Sequence, residues 1–424
     1  MKVCFLLHQG NMFSGGQGVY LYYMTRELAR MGHEVHAIVG APYPKLAPEV
    51  QLHPLKQYSI WSMMDEYDEH VYRTHPLAYL NPLNFYEFAS TRVTLSALLN
   101  MVSLRAYAKL NELERDRPFD LIHDNQVLGY GTWLMKLRGR PIVANVHHPL
   151  SIDRDNELLQ ARTVAKRVSR LIWFPWVMQG WVARRVDKVI TGSESSAASV
   201  AEALGLPREH IRVIYDGVDE DIYRPLDNAV HEPNSLLFVG RAEDKNKGFR
   251  YLLDALQRLD GHVPYHLIVV QPPRSNEAAH RVQELGLQGR FTYLEGLSAE
   301  ELVRTYNGVQ VHVSPSLYEG FGLPAAEAQA CGTPVVTTSA GALREIVDDG
   351  VSGLVVPPGE AAPLADALRT LLEDPARCRA MGAAGSRRIR ERFTWRRTAE
   401  ETVALYREVL RCDERSERSL EPIG

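Results

Sequence analysis

The feature of this sequence that most constrains its fold is a repeated alternation between short apolar runs and longer amphipathic stretches. The first run, KVCFLL at residues 2–7, is continuously apolar after its lysine, as is typical of a strand buried on both faces. A polar, glycine-rich loop follows at 9–18, then a helical pattern that Gly32 ends, then a second apolar run at 34–39. This order predicts a β-loop-α-β unit that opens a parallel sheet.

The alternation continues in two series. Further apolar runs occur at 120–123, 141–147, 188–193 and 211–219, and then at 235–240, 265–270, 290–296, 309–316, 333–338 and 353–358. Between the two series, residues 224–234 hold two prolines and few apolar side chains, which is typical of an interdomain linker. Residues 57–110 are less regular, and we interpret them as helical insertions over the first domain. The predicted fold class is therefore α/β, with two tandem Rossmann-like, doubly wound domains.

The chain has 424 residues, enough for two or three domains. We expect one Rossmann-like domain at 1–222, a second at 223–396, a C-terminal helix at 397–412 that packs back towards the first domain, and a flexible tail at 413–424. Because open α/β sheets bind ligands at the carboxyl ends of their strands, we expect a ligand cleft between the two domains.

Composition excludes several classes of protein. A formal charge of −4 gives no basic excess that would draw the chain to nucleic acid. The four cysteines lack C-x-x-C spacing, which argues against a zinc site or a disulfide framework and favours a reducing compartment. No apolar stretch approaches the roughly 18 residues of a spanning helix, so we expect a cytoplasmic protein with at most a peripheral contact at the inner face of a membrane.

Two loops have the composition of anion-binding turns. The first, with Gly15, Gly16 and Gly18, precedes a helix whose N-terminus offers free N–H groups and a partial positive charge. It lacks the full G-x-G-x-x-G pattern and the acid at the end of the second strand, which argues against a dinucleotide. In the second, Gly240-Arg241 and Lys247 lie at the mouth of a strand-to-helix turn, where they suit a pyrophosphate. For the first loop the alternative is a glycine turn that binds no ligand. For the second it is a basic loop exposed to solvent.

The most informative stretch reads SPSLYEGFGLPAAEA at residues 314–328. Its glycines predict a tight turn, and Pro324, which has no N–H of its own, suits a first helical residue, so the N–H groups of residues 321–323 should be bare. Glu319 falls in the turn and Glu327 on the helix, with seven residues between them. Stabilisation of the helix dipole accounts for Glu327 alone, but it does not account for an acid in a glycine turn.

This stretch resembles the E-G-F-G-L-P-x-x-E-A motif of the family 4 glycosyltransferases, which are retaining enzymes of the two-domain GT-B fold. The resemblance covers nearly the whole chain. It includes the Gly15-Gly16 loop, the strand end at His147, and residues 191–194, 216–219, 240–241, 247–248, 341–345 and 353–357. One departure is Asp216, where the family more often has Asn.

The resemblance implies a role for each matching residue. Arg241 and Lys247, beside Gly240, would bind the diphosphate of a nucleotide-sugar donor, and Glu319 would accept hydrogen bonds from the transferred sugar. Glu327 would bind the ribose hydroxyls. Gly15 and Gly16 would close over the phosphate, and His147 would contact the donor sugar near the reaction centre. The sugar and the distal phosphate would also be bound by the backbone N–H groups of Gly320, Phe321, Gly322 and Leu323.

The implied reaction breaks the bond between the anomeric carbon and the diphosphate oxygen, through an oxocarbenium-like transition state. Cations and helix N–H groups aimed at the diphosphate would stabilise the charge that develops there. No D-x-D motif is placed at a strand end to hold a divalent metal, so we expect no metal ion. We also expect no cofactor, since the nucleotide-diphosphate sugar is the donor substrate. No residue is an evident nucleophile, so a front-face transfer of a hexosyl group with retention is the expected mechanism.

The acceptor is expected on the first domain, as a hydroxyl of a glycan, a glycolipid or a small metabolite. His148, Asp153 and Arg154 follow the strand that ends at His147 and could face it. Adjacent histidines on a strand point in opposite directions, which argues against a metal there. Asp124 and Asn125 form a second polar strand end, for which turn chemistry is the alternative.

Residues 166–185 place three Trp and an apolar run between two basic clusters. That composition favours contact with an anionic membrane surface, and a helix of the protein core is the alternative. Two other functions remain open on the same scaffold: a sugar-nucleotide epimerase, and a non-catalytic subunit that binds nucleotide sugars. The nucleotide base, the sugar, the acceptor and the oligomeric state do not follow from the sequence.

Overall fold

The computed structural model describes residues 1–10, 16–58, 76–147, 149–150, 154, 158, 163–173, 176–227, 229, 231–271 and 277–420. Contacts divide the chain into two compact units. Unit 1 comprises Met1–Ile214 and Ala399–Gly424, and unit 2 comprises Tyr215–Thr398. The division therefore falls between residues 214 and 215, where the sequence patterns lead us to expect 222 and 223.

Unit 1 contains a seven-stranded parallel sheet within the described residues. Its strands are β1 (Lys2–Leu7), β2 (Glu34–Gly40), β3 (Gln51–Leu55), β4 (Leu121–Asn125), β5 (Ile142–Asn145), β6 (Lys188–Thr191) and β7 (Ile211–Val213), in the order β3-β2-β1-β4-β5-β6-β7. All six residues of β1 are buried, as its apolar run predicts. Strand order reverses between β1 and β4, which makes the carboxyl ends of these two strands the topological switch point.

The helices of unit 1 cover its sheet. They are Gln17–Arg30, Pro82–Ser90, Leu95–Leu113, Tyr130–Leu137, Val164–Trp173, Trp176–Ala183 and Glu194–Leu204, with short 3₁₀ turns at Pro76–Leu80 and Arg208–His210. Asn81, Thr94 and Ser193 each cap the helix that follows, since their side chains accept a backbone N–H of its first turn. The helices at 82–90 and 95–113 agree with the expected helical insertions.

Unit 2 contains a six-stranded parallel sheet within the described residues. Its strands are β8 (Glu232–Val239), β9 (His266–Gln271), β10 (Phe291–Glu295), β11 (Val309–Ser314), β12 (Val335–Thr338) and β13 (Gly353–Val356), in the order β10-β9-β8-β11-β12-β13. The switch point lies between β8 and β11. Strand β8 begins at Glu232, inside the segment expected to be a linker.

The helices of unit 2 pack on both faces of this sheet. They are Phe249–Leu259, Glu277–Glu284, Ala299–Gly308, Leu323–Ala330, Leu343–Ile346, Ala361–Leu372 and Pro375–Arg392, with 3₁₀ turns at Lys245–Lys247 and Gln288–Arg290. The last helix of the chain, Trp395–Leu420, begins in unit 2 and continues in unit 1. It extends eight residues into the segment at 413–424 for which the sequence predicts a flexible tail. No helix in the described part of the chain is both long and apolar enough to cross a bilayer.

Candidate functional site

In unit 2 the candidate residues come from two loops that leave neighbouring strands, β8 and β11. Gly240 directly follows β8, with φ 149°, and its N–H donates to the carbonyl of Val270 at 2.9 Å. A Cβ added at Gly240 would lie 3.7 Å from Cγ and Cδ of Lys247, so the lysine stem passes over this glycine. Lys247 ends the 3₁₀ turn Lys245–Lys247, which the Asp244 side chain caps. The fold therefore brings Lys247 to the carboxyl end of β8.

Lys247 forms an ion pair with Glu319, which follows β11. Its Nζ donates to Oε1 of Glu319 at 2.5 Å, with side-chain exposures of 25% and 12%. The Ser316 hydroxyl donates to the same carboxylate oxygen at 3.1 Å. Burial by itself would lower the pKa of Lys247, but the Glu319 carboxylate, with help from Asp244, raises that pKa above its usual value. Lys247 is therefore a fixed, fully charged ammonium.

Glycines hold the two loops at close range. Gly248 has φ 66°, and a Cβ there would approach the Pro315 carbonyl oxygen to 2.0 Å. The N–H of Leu317 donates to the Asn246 carbonyl at 2.7 Å, which joins the two loops directly. On the other side, the Glu319 carbonyl accepts a hydrogen bond from Ala342 N–H at 3.1 Å. Lys247 and Glu319 are thus positioned by backbone contacts as well as by their ion pair.

The helix Leu323–Ala330 begins beside Glu319. Its N-cap is Gly322, with φ 100°, and no side chain caps this end. Pro324 lies in the first turn as the second helical residue, one position later than the sequence predicts. Phe321 is buried, and its ring lies 6.1 Å from that of Phe393, so its side chain belongs to the core of unit 2. Because Pro324 has no N–H and the N–H groups of Ala325 and Ala326 donate to the Gly322 carbonyl, this helix end offers a ligand the backbone N–H groups of Gly322 and Leu323.

Glu327 has two tyrosine partners that the sequence does not reveal. The hydroxyl of Tyr306 donates to Oε2 of Glu327 at 2.9 Å, and Tyr223 also hydrogen-bonds this carboxyl group. Burial raises the pKa of Glu327 to about 7, although both tyrosines act to lower it. Tyr306 is fully buried on the helix Ala299–Gly308, three residues after the buried Val303, as is usual for a core position of a helix. The sequence therefore does not distinguish a tyrosine that hydrogen-bonds Glu327 from a tyrosine that only packs in the core.

Arg241 directly follows Gly240, and its side chain is exposed. It therefore shares the carboxyl end of β8 with Lys247, as the sequence predicts, but it forms no part of the Lys247–Glu319 ion pair.

In unit 1, several predicted residues meet near the switch point. His147 follows β5, and its Nε2–H donates to Oδ1 of Asn125, at the end of β4, over 2.8 Å. Gln126 accepts the backbone N–H of His147 at 2.9 Å, and the ring of Tyr20 packs edge-on against the imidazole at 4.9 Å. Gly16, with φ 71°, is the N-cap of the helix that carries Tyr20. The loop end, β4 and β5 therefore converge on His147.

The two polar residues at the end of β4 have different roles. Asp124 is buried and accepts hydrogen bonds from the N–H groups of Val127 and Leu128 and from the Thr132 hydroxyl, which is the turn chemistry considered as an alternative. Its burial raises its pKa to about 6. Asn125, in contrast, orients His147. In the turn that Asp124 holds, Leu128 has φ 45°, a conformation that side-chain-bearing residues seldom adopt.

One further group beside His147 was not predicted. His123 is fully buried on β4, stacks on Phe5 at 4.4 Å, and shares a hydrogen bond between its Nδ1 and the Tyr406 hydroxyl at 2.5 Å. Burial lowers the pKa of His123 to about 3, so the ring is neutral. Tyr406 belongs to the C-terminal helix, about 280 residues later in the chain, which is why local sequence patterns do not connect the two.

Of the predicted residues that remain, three lie outside the described part of the chain and one lies within it. Gly15, His148 and Asp153 lie outside the described residues, and Arg154 is half-buried. Among the residues that the structure describes, no three His, Cys, Asp or Glu side chains form a group that could hold a metal ion.

Residues 166–185 fall on two helices with different surroundings. Val164–Trp173 buries none of its residues, and it exposes an apolar face formed by Val164, Val168, Leu171 and Ile172. Trp176–Ala183, in contrast, buries Met178, Gln179 and Val182. The second helix is thus part of the core of unit 1, and only the first retains the character of an interfacial segment.

Comparisons with known proteins agree with this architecture. A family model described as Glycosyltransferase Family 4 matches residues 14–222, and one described as Glycosyl transferases group 1 matches residues 219–388. The chain is 34% identical to the MMP alpha-(1->4)-mannosyltransferase of Mycolicibacterium hassiacum, over 97% of this chain and 98% of that protein. It is 30% identical to a D-inositol 3-phosphate glycosyltransferase of Thermobispora bispora, over 97% and 93% of the two chains.

Solved structures support the fold. Sucrose-phosphate synthase from Thermosynechococcus elongatus has a TM-score of 0.72 at 24% identity, covering 97% of this chain and 100% of that one. The Anabaena protein Alr3699/HepE, solved in complex with UDP and glucose, has a TM-score of 0.67 at 21% identity, covering 96% and 99%. Together with the two parallel sheets and the family matches, these likenesses confirm the predicted tandem Rossmann-like domains of the GT-B fold. The chain is an enzyme that belongs to family 4 of the glycosyltransferases.

Proposed function

We propose that this glycosyltransferase takes a hexosyl group from a nucleotide-diphosphate sugar and transfers it, with retention, to a hydroxyl acceptor. The observation that carries the proposal is the Lys247–Glu319 pair beside the uncapped N-terminus of helix Leu323–Ala330. A diphosphate is recognised by an ammonium and by helix N–H groups, and a sugar by a carboxylate that accepts its hydroxyls. The pair offers both within a few ångströms.

The same groups can assist the departure of the diphosphate. As the anomeric bond breaks, negative charge gathers on the phosphate oxygen, where Lys247 Nζ, the Arg241 guanidinium and the helix N–H groups stabilise it. Glu319 orients the sugar through its hydroxyls. Glu327, once ionised, accepts the ribose hydroxyls, and Tyr306 holds its carboxyl group in place. Because these protein groups supply the positive charge, we propose a mechanism that needs no metal ion.

Retention follows if the acceptor attacks from the side that the diphosphate leaves. In this front-face mechanism a phosphate oxygen of the leaving group takes the proton of the acceptor hydroxyl, so no protein nucleophile is required. We propose that unit 1 binds the acceptor at the carboxyl ends of β4 and β5, and that the His147 imidazole, which Asn125 orients, contacts the donor sugar near the reaction centre. Arg154, His148 and Asp153 remain proposed acceptor contacts, and Gly15 and Gly16 remain proposed phosphate contacts.

The relatives favour particular substrates. The mannosyltransferase relative, which matches along nearly its whole length, is named for an α-(1→4) linkage. We therefore propose a mannosyl or related hexosyl group and a glycan hydroxyl as the first pair to test. The D-inositol 3-phosphate glycosyltransferase relatives make a phosphorylated polyol the second acceptor to test.

The test is a panel of uridine, guanosine and adenosine diphosphate sugars, each incubated with a mannoside oligosaccharide or with inositol 3-phosphate. The proposal expects release of the nucleoside diphosphate with a new α-glycosidic bond, detected by NMR, and equal rates with and without EDTA. A β product would contradict retention, and loss of activity in EDTA would contradict the metal-free mechanism. A changed sugar without nucleotide release would indicate an epimerase, and binding without any turnover or hydrolysis a non-catalytic subunit.

We also propose that helix Val164–Trp173 contacts an anionic lipid surface. Its apolar side chains are solvent-exposed, with Val164 at 77% and Ile172 at 51%. Helical spacing places Lys166 and Arg170 on the opposite side of the helix and Arg167 at the edge of the apolar face. An apolar face flanked by cations is the composition of a helix that lies in the bilayer interface.

Vesicle flotation tests this second proposal. The wild-type protein should float with phosphatidylglycerol vesicles at low salt and far less with phosphatidylcholine vesicles. Ile172→Asp should abolish flotation. Val351→Asp, which changes a similarly exposed valine of unit 2, should not. Equal flotation of the two variants, or none for the wild type, would refute the contact, and a concentration-dependent dimer that Ile172→Asp dissolves would assign the face to a second copy of the chain.

A further inference from the structure

We infer that Glu319 discriminates between the intact sugar nucleotide and the nucleoside diphosphate left after transfer, because its carboxylate competes with phosphate for Lys247. The inference rests on the proposed function, since it takes the donor to be a nucleotide sugar. The two side chains are each other's partners in this structure, at 2.5 Å and mostly shielded from water. A phosphate that binds Lys247 must therefore share it with a carboxylate or displace it.

Glu319 is held so that it cannot withdraw when Lys247 turns to a phosphate. The Ser316 hydroxyl donates to the same Oε1 that binds the lysine. The backbone carbonyl of Glu319 accepts the Ala342 N–H, and a Cβ added at Gly341 would approach that carbonyl to 2.0 Å. Ser316 is itself fixed, because its carbonyl accepts the Thr338 hydroxyl. The carboxylate thus stays beside any anion that Lys247 binds.

The two nucleotides differ in what they bring to this carboxylate. The terminal phosphate of a free nucleoside diphosphate has no substituent and carries between one and two negative charges near pH 7, which Glu319 repels. In the sugar nucleotide the same phosphate is a diester with a single charge, and the attached sugar brings hydroxyls that donate to Glu319. Glu319 therefore weakens binding of the product and strengthens binding of the donor.

This discrimination has a kinetic consequence. Once the sugar has left and the phosphate has lost the proton that it took from the acceptor, Glu319 lacks its hydroxyl partners and faces a phosphate of increased charge. Competition for Lys247 then favours release of the nucleoside diphosphate, and product release limits turnover in many enzymes. Glu319 is in this respect a specificity-determining residue in addition to a sugar contact.

Isothermal titration of the full chain tests the inference. UDP, GDP and ADP, together with UDP-glucose, GDP-mannose and ADP-glucose, identify the base that the wild type accepts. With that pair of ligands, Glu319→Gln should bind the nucleoside diphosphate about tenfold more tightly and the sugar nucleotide about tenfold more weakly. Lys247→Ala should weaken both. Glu373→Gln, which removes an exposed carboxylate elsewhere in unit 2, should change neither.

The test is decisive because Glu319→Gln should change the affinities for the two ligands in opposite directions. If Glu319→Gln weakens both ligands, or leaves the nucleoside diphosphate unchanged, the discrimination is refuted while the proposed donor class stands. If the wild type binds none of the six nucleotides, the proposed function itself fails. Glu319→Gln alone leaves the Lys247 ammonium without its carboxylate partner, which could prevent folding. In that case Lys247→Met is compared with the double variant Lys247→Met/Glu319→Gln, because neither contains this ammonium. The double variant should then bind the nucleoside diphosphate more tightly than the single one, because the Glu319 carboxylate repels the terminal phosphate even where Lys247 is absent, and equal or weaker binding would refute this repulsion and with it the inference.

Discussion

At the scale of single residues, the account depends most on the ammonium of Lys247. Its pKa is raised by Glu319, its stem lies over Gly240, and its position at the carboxyl end of β8 suits a diphosphate. The sequence predicts the lysine from its place in a strand-to-helix turn. It does not predict the ion pair, because Glu319 lies 72 residues further along the chain and only the pairing of β8 with β11 brings the two together.

Lys247→Ala should reduce kcat by about 10²–10³, which is the effect of losing one oriented donor aimed at developing charge. Initial rates at saturating donor measure it, with circular dichroism as a check on folding. Lys245→Ala provides the matched control, since this exposed lysine lies two residues away and should leave the rate nearly normal. A near-normal rate in Lys247→Ala would remove the lysine from the mechanism.

Glu327 gives a pH-dependent prediction. Because burial raises the pKa of Glu327 to about 7 and the ribose hydroxyls require the ionised carboxylate, donor affinity should fall as the pH drops below about 7. Titration with a sugar nucleotide between about pH 5.5 and 8.5, a range centred on that pKa, measures this dependence. The sugar nucleotide is the right probe because its phosphates do not titrate in that range.

Variants of the same site sharpen this test. In Glu327→Gln the fall in affinity below pH 7 should disappear. In Tyr306→Phe the midpoint should move to higher pH, because the Tyr306 hydroxyl lowers the pKa of Glu327. A wild-type affinity that is constant across the range would show that the ionised carboxylate has no part in donor binding.

At the scale of elements, continuous apolar runs predict the buried parallel strands well and the exposed edge poorly. Strand β3 was not predicted, because its sequence QLHPL contains a proline and leaves most of its residues partly or fully exposed at the edge of the sheet. The expected tail at 413–424 is helical through Leu420, since it continues the amphipathic helix that starts at Trp395. The sequence predicts the glycine turns of unit 2. It does not predict the close contacts that require a glycine there, such as that between Gly248 and the Pro315 carbonyl.

Gly248→Ala tests how closely the two loops of unit 2 must approach. A methyl group there would meet the Pro315 carbonyl at 2.0 Å in a left-handed conformation, so the variant should lose about 2–4 kcal/mol of unfolding free energy and much of its donor affinity. Gly261→Ala is the matched control. It has a similar φ of 76° but nothing within 4 Å, so it should lose only about 1 kcal/mol and bind the donor normally. Equal losses in urea unfolding would show that the close approach does not matter.

At the scale of the whole molecule, the sequence predicts the fold class and the family, and both are confirmed. The fold class follows from the two complete series of strands, and the family follows from a resemblance that covers nearly the whole chain. The partners of the site residues lie beyond local patterns. Asn125 orients His147 across two strands, Tyr306 reaches Glu327 from another helix, and Tyr406 reaches His123 from the far end of the chain. Only the folded chain brings such pairs together.

The central claim is that Lys247 and the N-terminus of helix Leu323–Ala330 hold the diphosphate of the donor. A crystal structure of the chain with a bound sugar nucleotide tests it most directly. The account predicts a diphosphate oxygen about 3 Å from Lys247 Nζ and another within hydrogen-bonding distance of the N–H groups that begin this helix. A diphosphate bound elsewhere, with the Lys247–Glu319 ion pair unchanged, would contradict the account.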